Sequence, residues 1–170
     1  MLNNQPSEIS LRDIVAADIS AVNEWQHYPQ YFEELDYALR QNGWLPEYYR
    51  KPGAKCYAAE YSGELIGFSI LSKTSQAEAE FRVALKPGKT GKGFGKIITL
   101  KVMEEGFNKM GLERIHLIVR KNNKNAFRLY KKLGFIEKGE SVKEICGKPV
   151  DFLIMDICRG RYLKINKEDL

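Results

Sequence analysis

The amino-acid sequence predicts an α+β fold, a mixed sheet covered by helices on both faces. Strand-like runs alternate with segments of helical apolar spacing. A basic, glycine-rich turn joins the strand ending at Leu85 to an amphipathic helix. No repeat, low-complexity tract or linker divides the 170 residues, so one domain over residues 1–170 is expected. That length can bury a substantial core.

Ile9-Ser10-Leu11 begins a first strand, and Asp18 is placed to cap a helix through Ile19, Val22 and Trp25. Tyr31 to Leu39 carries Phe32, Leu35 and Leu39 at helical spacing. Asn42 to Pro52 has glycine and proline breaks around Trp44, Tyr48 and Tyr49 and reads as a loop. Cys56 to Glu60 and Leu65 to Leu71 form a hairpin about Ser62-Gly63. Glu78 to Lys86 is the next strand. The helix after it aligns Ile97, Leu100, Met103, Phe107 and Met110, ending at Gly111. Arg114 to Arg120 is a strand, its Leu117-Ile118-Val119 run suggesting burial on both faces. Asn123 to Leu133 is a helix with Ala126, Leu129, Tyr130 and Leu133 on one side, stopped by Gly134. Phe135-Ile136 and Val150 to Ile157 complete the sheet around a turn at Gly147-Lys148-Pro149, and the basic tail 159–170 is expected to be loosely ordered.

Composition narrows the functional classes. Hydrophobic content of 44% with 29% charged residues is ordinary for a soluble globular chain. No apolar run reaches the roughly 18 residues a membrane helix needs. Met1 to Glu8 has neither the basic nor the apolar segment of a secretion signal, and a cytoplasmic setting is expected. Three scattered cysteines, Cys56, Cys146 and Cys158, offer no metal-ligand spacing and no disulfide framework; Cys56 and Cys158 sit in apolar strand patterns and read as core. The net charge of +5 suits an anionic ligand. Its excess lies in Lys86–Lys96 and Arg120–Lys132, which favours a phosphorylated coenzyme over a nucleic acid.

The loop itself is built for an anion. Thr90, Gly91, Lys92, Gly93, Phe94, Gly95 and Lys96 lead into a helix whose first N–H groups lack intrahelical partners. Glycines at 91, 93 and 95 let a phosphate approach the backbone, and Lys89, Lys92 and Lys96 add positive charge. A Walker A reading fails because its leading glycine would fall at Val83. A dinucleotide fingerprint fails because Lys96 stands where the third glycine belongs.

About 30 residues on, Asn123, Ala126, Tyr130, Gly134 and Phe135 spell Asn-x-x-Ala-x-x-x-Tyr-x-x-x-Gly-Phe. With Leu85-x-Pro87-x-x-x-Gly91-x-Gly93-x-Gly95, this resembles the GNAT superfamily of acyl-CoA-dependent N-acetyltransferases. The wording around Ala79-Glu80-Phe81 and Gly91-Lys92-Gly93-Phe94 is most similar to the branch that acetylates N-terminal amines of ribosomal proteins. The resemblance is strong over 79–136 and fainter from Ile9 to Leu71. It implies a mostly antiparallel sheet, splayed where the strand ending near Lys86 parts from the one starting near Arg114, with acetyl-CoA as acyl donor and no metal.

Residue by residue, the resemblance assigns the amides from Thr90 to Lys96 to the pyrophosphate. The family carries Arg or Gln where this chain has Thr90, so charge at that position is lost while the backbone cradle is kept. Ala84 and Leu85 would pair their backbone with the pantetheine arm. Asn123 and Ala126 would also touch the coenzyme, although Asn123 equally suits a helix N-cap. Tyr130 would protonate the departing thiolate; the competing role is a core tyrosine. Glu80 would accept a proton from the attacking ammonium, directly or through water, or else bind that cation or pair with Arg82 or Arg114; Glu78 is the alternative. His116 reads as structural and His27 as a weak substrate contact. The acceptor is a primary amine, either a protein N-terminus beside Glu33, Glu34 and Asp36, or a small amine against Trp44, Tyr48 and Tyr49. No nucleophilic constellation supports a covalent enzyme intermediate. Homodimerisation is compatible with these features, membrane and nucleic-acid partners are not expected, and a non-catalytic coenzyme-sensing or ribosome-associated module on the same fold is the other class.

Overall fold

The structure, a computed structural model, describes residues 8–168. Among the described residues, seven strands take the order β1-β2-β3-β4-β5-β7-β6. They are β1 Ser10–Asp13, β2 Ala54–Tyr61, β3 Glu64–Lys73, β4 Glu78–Leu85, β5 Arg114–Arg120, β6 Ile136–Ile145 and β7 Lys148–Cys158. The helices are α1 Ala16–Asn23, α2 Trp44–Tyr48, α3 Phe94–Glu104, α4 Lys124–Lys132 and α5 Arg159–Glu168, with a 3-10 segment at Gln30–Leu39 and a π turn at Glu105–Lys109. The sheet is mixed and mostly antiparallel: β1–β2, β2–β3, β5–β7 and β6–β7 are antiparallel, while β4 and β5 are parallel. The chain packs as two compact units, residues 8–72 with 82–102, and residues 73–81 with 103–168. The expected reading of Met1 to Ser7 lies outside the described residues.

In the first unit, the β2–β3 hairpin turns at Ser62 and Gly63, whose φ values of 51° and 77° match the tight hairpin turn expected there. Alternation along β3 sends successive side chains to opposite faces. Phe68 meets the Trp44 ring of α2 at 6.5 Å, whereas a Cβ on Gly67 would lie 3.5 Å from Ile98 Cδ1 of α3. The first face gathers Ile14, Val22, Trp25, Leu39, Leu45, Cys56, Ala58, Phe68 and Ile70 into a buried core. Burying each large aliphatic or aromatic side chain there contributes about 1.5–3 kcal/mol.

Several local expectations are corrected. Val15, not Asp18, is the N-cap of α1; Asp18 sits one turn in and accepts the Val15 N–H at 2.8 Å and the Arg12 guanidinium at 2.7 and 2.9 Å. Tyr31 to Leu39 is 3-10 rather than α-helical, and Trp44 to Tyr48 is a short helix inside the expected loop. On α3, Ile97 and Leu100 face solvent at 42% and 38% exposure while Ile98, Val102 and Met103 are buried.

The 3-10 segment is tied down by one carboxylate. Asp36 accepts Arg40 Nε and NH2 at 2.7 and 2.6 Å, the Tyr28 N–H at 3.0 Å, and lies 2.6 Å from His27 Nδ1. Arg40 also donates to the carbonyls of Asn23, Trp25 and Gln26. The Arg40 hydrogen bonds, followed by those of Tyr28 and His27, hold the Asp36 carboxyl down at about 2 despite its burial. A folded value below the unfolded one stabilises above the ordinary 3.8, and that stabilisation is lost as pH falls towards 2. Asp36→Asn is therefore expected to lose about 2 kcal/mol at pH 7. Urea unfolding should show the gap to wild type narrowing as pH drops below 3.8.

In the second unit, β4 pairs β5 from Glu78 opposite Arg114 to Glu80 opposite His116. Ile115, Leu117 and Val119 of β5 are buried whereas Ile118 is only half-buried, so burial on both faces does not hold along the whole run. The β6–β7 turn falls at Cys146 and Gly147, φ 51° and 78°, one residue earlier than expected; Pro149 is already in β7. Cys158, expected in the core, is exposed, as is Cys146. The basic C-terminal segment, expected to be loose, is helix α5, with only residues 169–170 undescribed. Its Tyr162 stacks on Phe107 of the π turn with ring centroids 4.7 Å apart, and Arg159 donates to the Phe107 carbonyl.

Candidate active site

The glycine-rich loop expected to take an anion belongs to the first unit and starts from a turn. Lys89 N–H closes on the Lys86 carbonyl at 2.9 Å, with Pro87 and Gly88 between and Gly88 at φ 87°. Gly91 and Gly93 then take φ values of 72° and 84°. Nothing lies within 4 Å of where their Cβ atoms would stand, so conformation rather than crowding within the protein demands glycine. Helix α3 opens at Phe94, which is held by ring contact with Tyr61 at 5.1 Å. Ile97 N–H reaches the Gly93 carbonyl at 3.4 Å, so the preceding amides of Phe94, Gly95 and Lys96 start the helix. Thr90, Gly91, Lys92, Gly93 and Lys96 are exposed, and Phe94 and Gly95 half-buried. A phosphate can reach this backbone from solvent.

The lysines divide into two sets. Lys86 and Lys89 each donate to Glu64 at 2.8 Å, and together they pull its carboxyl down to about 2. Lys89, expected to serve the anion, is thus shared with Glu64. Lys92 and Lys96 remain exposed on the loop. Glu64 went unnoticed in the sequence because its partners lie 22 and 25 residues away.

At the end of β4, Ala84 is buried and the Leu85 carbonyl accepts the Tyr28 hydroxyl. Burial is the main cause that pushes the Tyr28 phenol up to about 12. The Arg82 guanidinium lies 5.2 Å from the Trp44 ring and 5.3 Å from the Tyr48 ring, so these aromatics hold a cation of the protein itself.

The second unit carries the remaining residues. Asn123 caps α4, its Oδ1 accepting the Ala126 N–H at 3.2 Å. Tyr130 is buried on α4, edge-on to Phe81 at 6.4 Å and tilted against Phe135 at 5.6 Å. Burial raises its phenol pKa, so the group is protonated at neutral pH and retains a proton to give. Phe81 and Glu80 are adjacent in β4 and so point to opposite faces. The structure therefore brings Tyr130 to the Phe81 face and leaves Glu80, half-buried, on the other. Arg114 pairs with Glu78 at 3.5 Å and Asp156 at 3.3 Å, and the His116 Nε2 lies 3.0 Å from the Thr74 hydroxyl. His27 is engaged with Asp36, as described above. Among the described residues no three His, Cys, Asp or Glu side chains are grouped to hold a metal, and no helix is long and apolar enough to cross a membrane.

This arrangement has counterparts among known proteins. The spermidine N(1)-acetyltransferase of Escherichia coli K12 is 32% identical over 115 residues, 65% of this chain and 62% of that protein. The chain thus matches less than two thirds of that relative's length. The ribosomal protein bS18-alanine N-acetyltransferase of Haemophilus influenzae is 33% identical over 76 residues, 45% of this chain and 51% of its own. The crystal structure of the spermidine/spermine N-acetyltransferase of Vibrio cholerae superposes with a TM-score of 0.73 at 25% identity, covering 93% of this chain and 96% of that one. The acetyltransferase (GNAT) family model matches residues 18–135, which include the loop, α3, β5 and α4 up to Phe135, and the chain belongs to that family.

Proposed function

We propose that the protein transfers an acetyl group from acetyl-CoA to a primary amine of a polyamine such as spermidine. The observation that carries the coenzyme half is the exposed loop with left-handed Gly91 and Gly93 opening α3 beside Lys92 and Lys96. The choice of acceptor rests on the spermidine acetyltransferases, which match a longer stretch of the chain than the ribosomal-protein enzyme does. The shorter match to the ribosomal-protein enzyme gives a peptide N-terminus no comparable support.

The neutral amine nitrogen attacks the thioester carbonyl carbon, the C–S bond breaks, and coenzyme A leaves as a thiolate. In this reading Tyr130 gives that sulfur its proton, which its buried, protonated phenol can supply. Glu80, directly or through water, takes the proton whose loss makes the ammonium a neutral nucleophile, and the second proton, shed by nitrogen as the amide forms, returns Tyr130 to its phenol. The amides from Thr90 to Lys96 hold the pyrophosphate, the backbone of Ala84 and Leu85 follows the pantetheine arm, and Asn123 and Ala126 contact the coenzyme at the start of α4. The Leu85 carbonyl has a second lone pair for this, the first being taken by Tyr28. A buried proton donor on α4 has no use in a pure coenzyme sensor, which disfavours the non-catalytic class. Three unpaired thiols fit a cytoplasmic setting.

Acetyl-CoA at about 100 times its Kd should stabilise the fold by about 2.7 kcal/mol and raise Tm by about 5–10 °C. Thermal shift checks this, with NAD and ATP giving no shift. Coenzyme release measured against spermidine, spermine, small monoamines and Ala- or Ser-starting peptides then identifies the acceptor. Polyamines are expected to turn over fastest; release with peptides alone would replace the polyamine reading.

A further inference from the structure

The C-terminal helix meets the chain just past the end of α4, at Gly134. Tyr130 is the third residue from the end of α4, and its carbonyl accepts the N–H groups of Leu133 at 3.1 Å and Phe135 at 3.0 Å. Gly134 N–H donates to Lys131 at 3.1 Å, Gly134 has φ 99°, and the Phe135 ring lies against the Tyr130 ring. These bonds and that contact make a Schellman ending in which Tyr130 supplies both the accepting carbonyl and the apolar partner. Any change at Gly134 is therefore passed to the phenol through two bonded neighbours.

Helix α5 sits on that ending. Arg161 Nε donates to the Gly134 carbonyl at 2.7 Å. A Cβ on Gly134 would collide with Ile165 Cδ1 and stand 3.2 Å from Ile157 Cδ1. The other side of α5 is anchored independently, by Tyr162 on Phe107 and Arg159 on the Phe107 carbonyl. The π turn supplies this anchor, since the Met110 N–H to Glu105 carbonyl bond at 2.9 Å marks the widened turn that carries Phe107.

We infer that α5 is a brace that sets the Tyr130 phenol, with Arg161 as a positioning residue acting through the Gly134 carbonyl and Ile165 as the stop beneath it. The inference rests on the proposed acetyl transfer for its catalytic consequence but not for its geometry. Arg161 does not touch substrate; it holds the end of the helix that carries the proton donor. A displacement of that donor by about 1 Å is enough to slow a reaction by up to about 100-fold.

The test uses the full chain with carbon-13 labels in its tyrosine rings. Tyr130→Phe identifies the Tyr130 signal by its loss. Arg161→Met, which keeps the aliphatic stem but removes the donor, is expected to shift or broaden the Tyr130 signal. Tyr28, Tyr48 and Tyr57 should stay in place, and Arg161→Lys should largely restore the Tyr130 signal. An unmoved Tyr130 signal in a folded Arg161→Met protein overturns the brace, whether or not the protein acetylates amines. Kinetics supply the second readout: Arg161→Met should lower kcat about 10-fold with the KM for acetyl-CoA within about 2-fold. In a Tyr130→Phe background the same change should have no further effect on kcat. An equal loss in both backgrounds, or a lowered Tm with normal kcat, would also overturn it. Absence of acetyl transfer in the wild type would refute the proposed function and leave the ring signals to decide the brace.

Discussion

Tyr130→Phe is expected to lower kcat by roughly 10- to 1000-fold while leaving the Kd of acetyl-CoA nearly unchanged. The substitution keeps the ring that Phe81 and Phe135 surround at 6.4 and 5.6 Å, so the buried packing survives. It deletes only the hydroxyl, whose raised pKa keeps it protonated through the neutral range. In the proposed mechanism its proton is needed only as the C–S bond breaks, and a transition-state interaction of this kind appears in kcat rather than in ground-state binding. Because the phenol titrates above its ordinary value, losing the hydroxyl should not shift the acidic limb of the rate profile. Single-turnover acetyl transfer with the coenzyme bound in advance is the clean measurement. Turnover near wild type, with only a small loss of stability, would assign Tyr130 to the core.

Gly93→Val carries the other large effect, this time on binding. Gly93 holds φ at 84°, a conformation that a β-branched residue adopts only at a cost on the order of 1–3 kcal/mol. The space around its Cβ is open, so the loop escapes by changing its own dihedrals rather than by displacing the core. That escape reorients the amides next to Phe94, and in the proposed binding mode the added methyl groups occupy the phosphate's approach. Coenzyme binding is expected to fall at least about 100-fold, the thermal shift with acetyl-CoA to vanish, and the Tm of the free protein to change little. Calorimetric titration checks this. Unchanged affinity would mean that the phosphates bind elsewhere.

Where local chemistry decides a feature, the residues alone revealed it. Ser62-Gly63 turns because both positions tolerate positive φ, β5 runs from Arg114 to Arg120 as its apolar pattern requires, and α4 starts on Asn123 and stops at Gly134 because a side-chain cap and a left-handed glycine are short-range devices. The glycine-rich loop was legible for the same reason, Gly91 and Gly93 sitting three residues and one residue before the helix they open. The branch of the family was less legible, since the similarity to a ribosomal-protein acetyltransferase covers a shorter stretch than the similarity to spermidine acetyltransferases.

Tertiary contacts decided the rest. Helix α3 is apolar on more than one side, so periodicity could not choose its buried stripe; contact of Phe94 with Tyr61, and the room that the missing side chain of Gly67 leaves beside Ile98, chose it and left Ile97 and Leu100 in solvent. Glu64, at the start of β3, draws in Lys86 and Lys89 from the turn that follows β4, a pairing that no local pattern announces. The basic tail is weakly patterned by itself. It becomes α5 because its arginines find the carbonyls of Phe107 and Gly134 and Tyr162 finds the ring of Phe107, partners that the chain brings together only after β7 has returned beside β5.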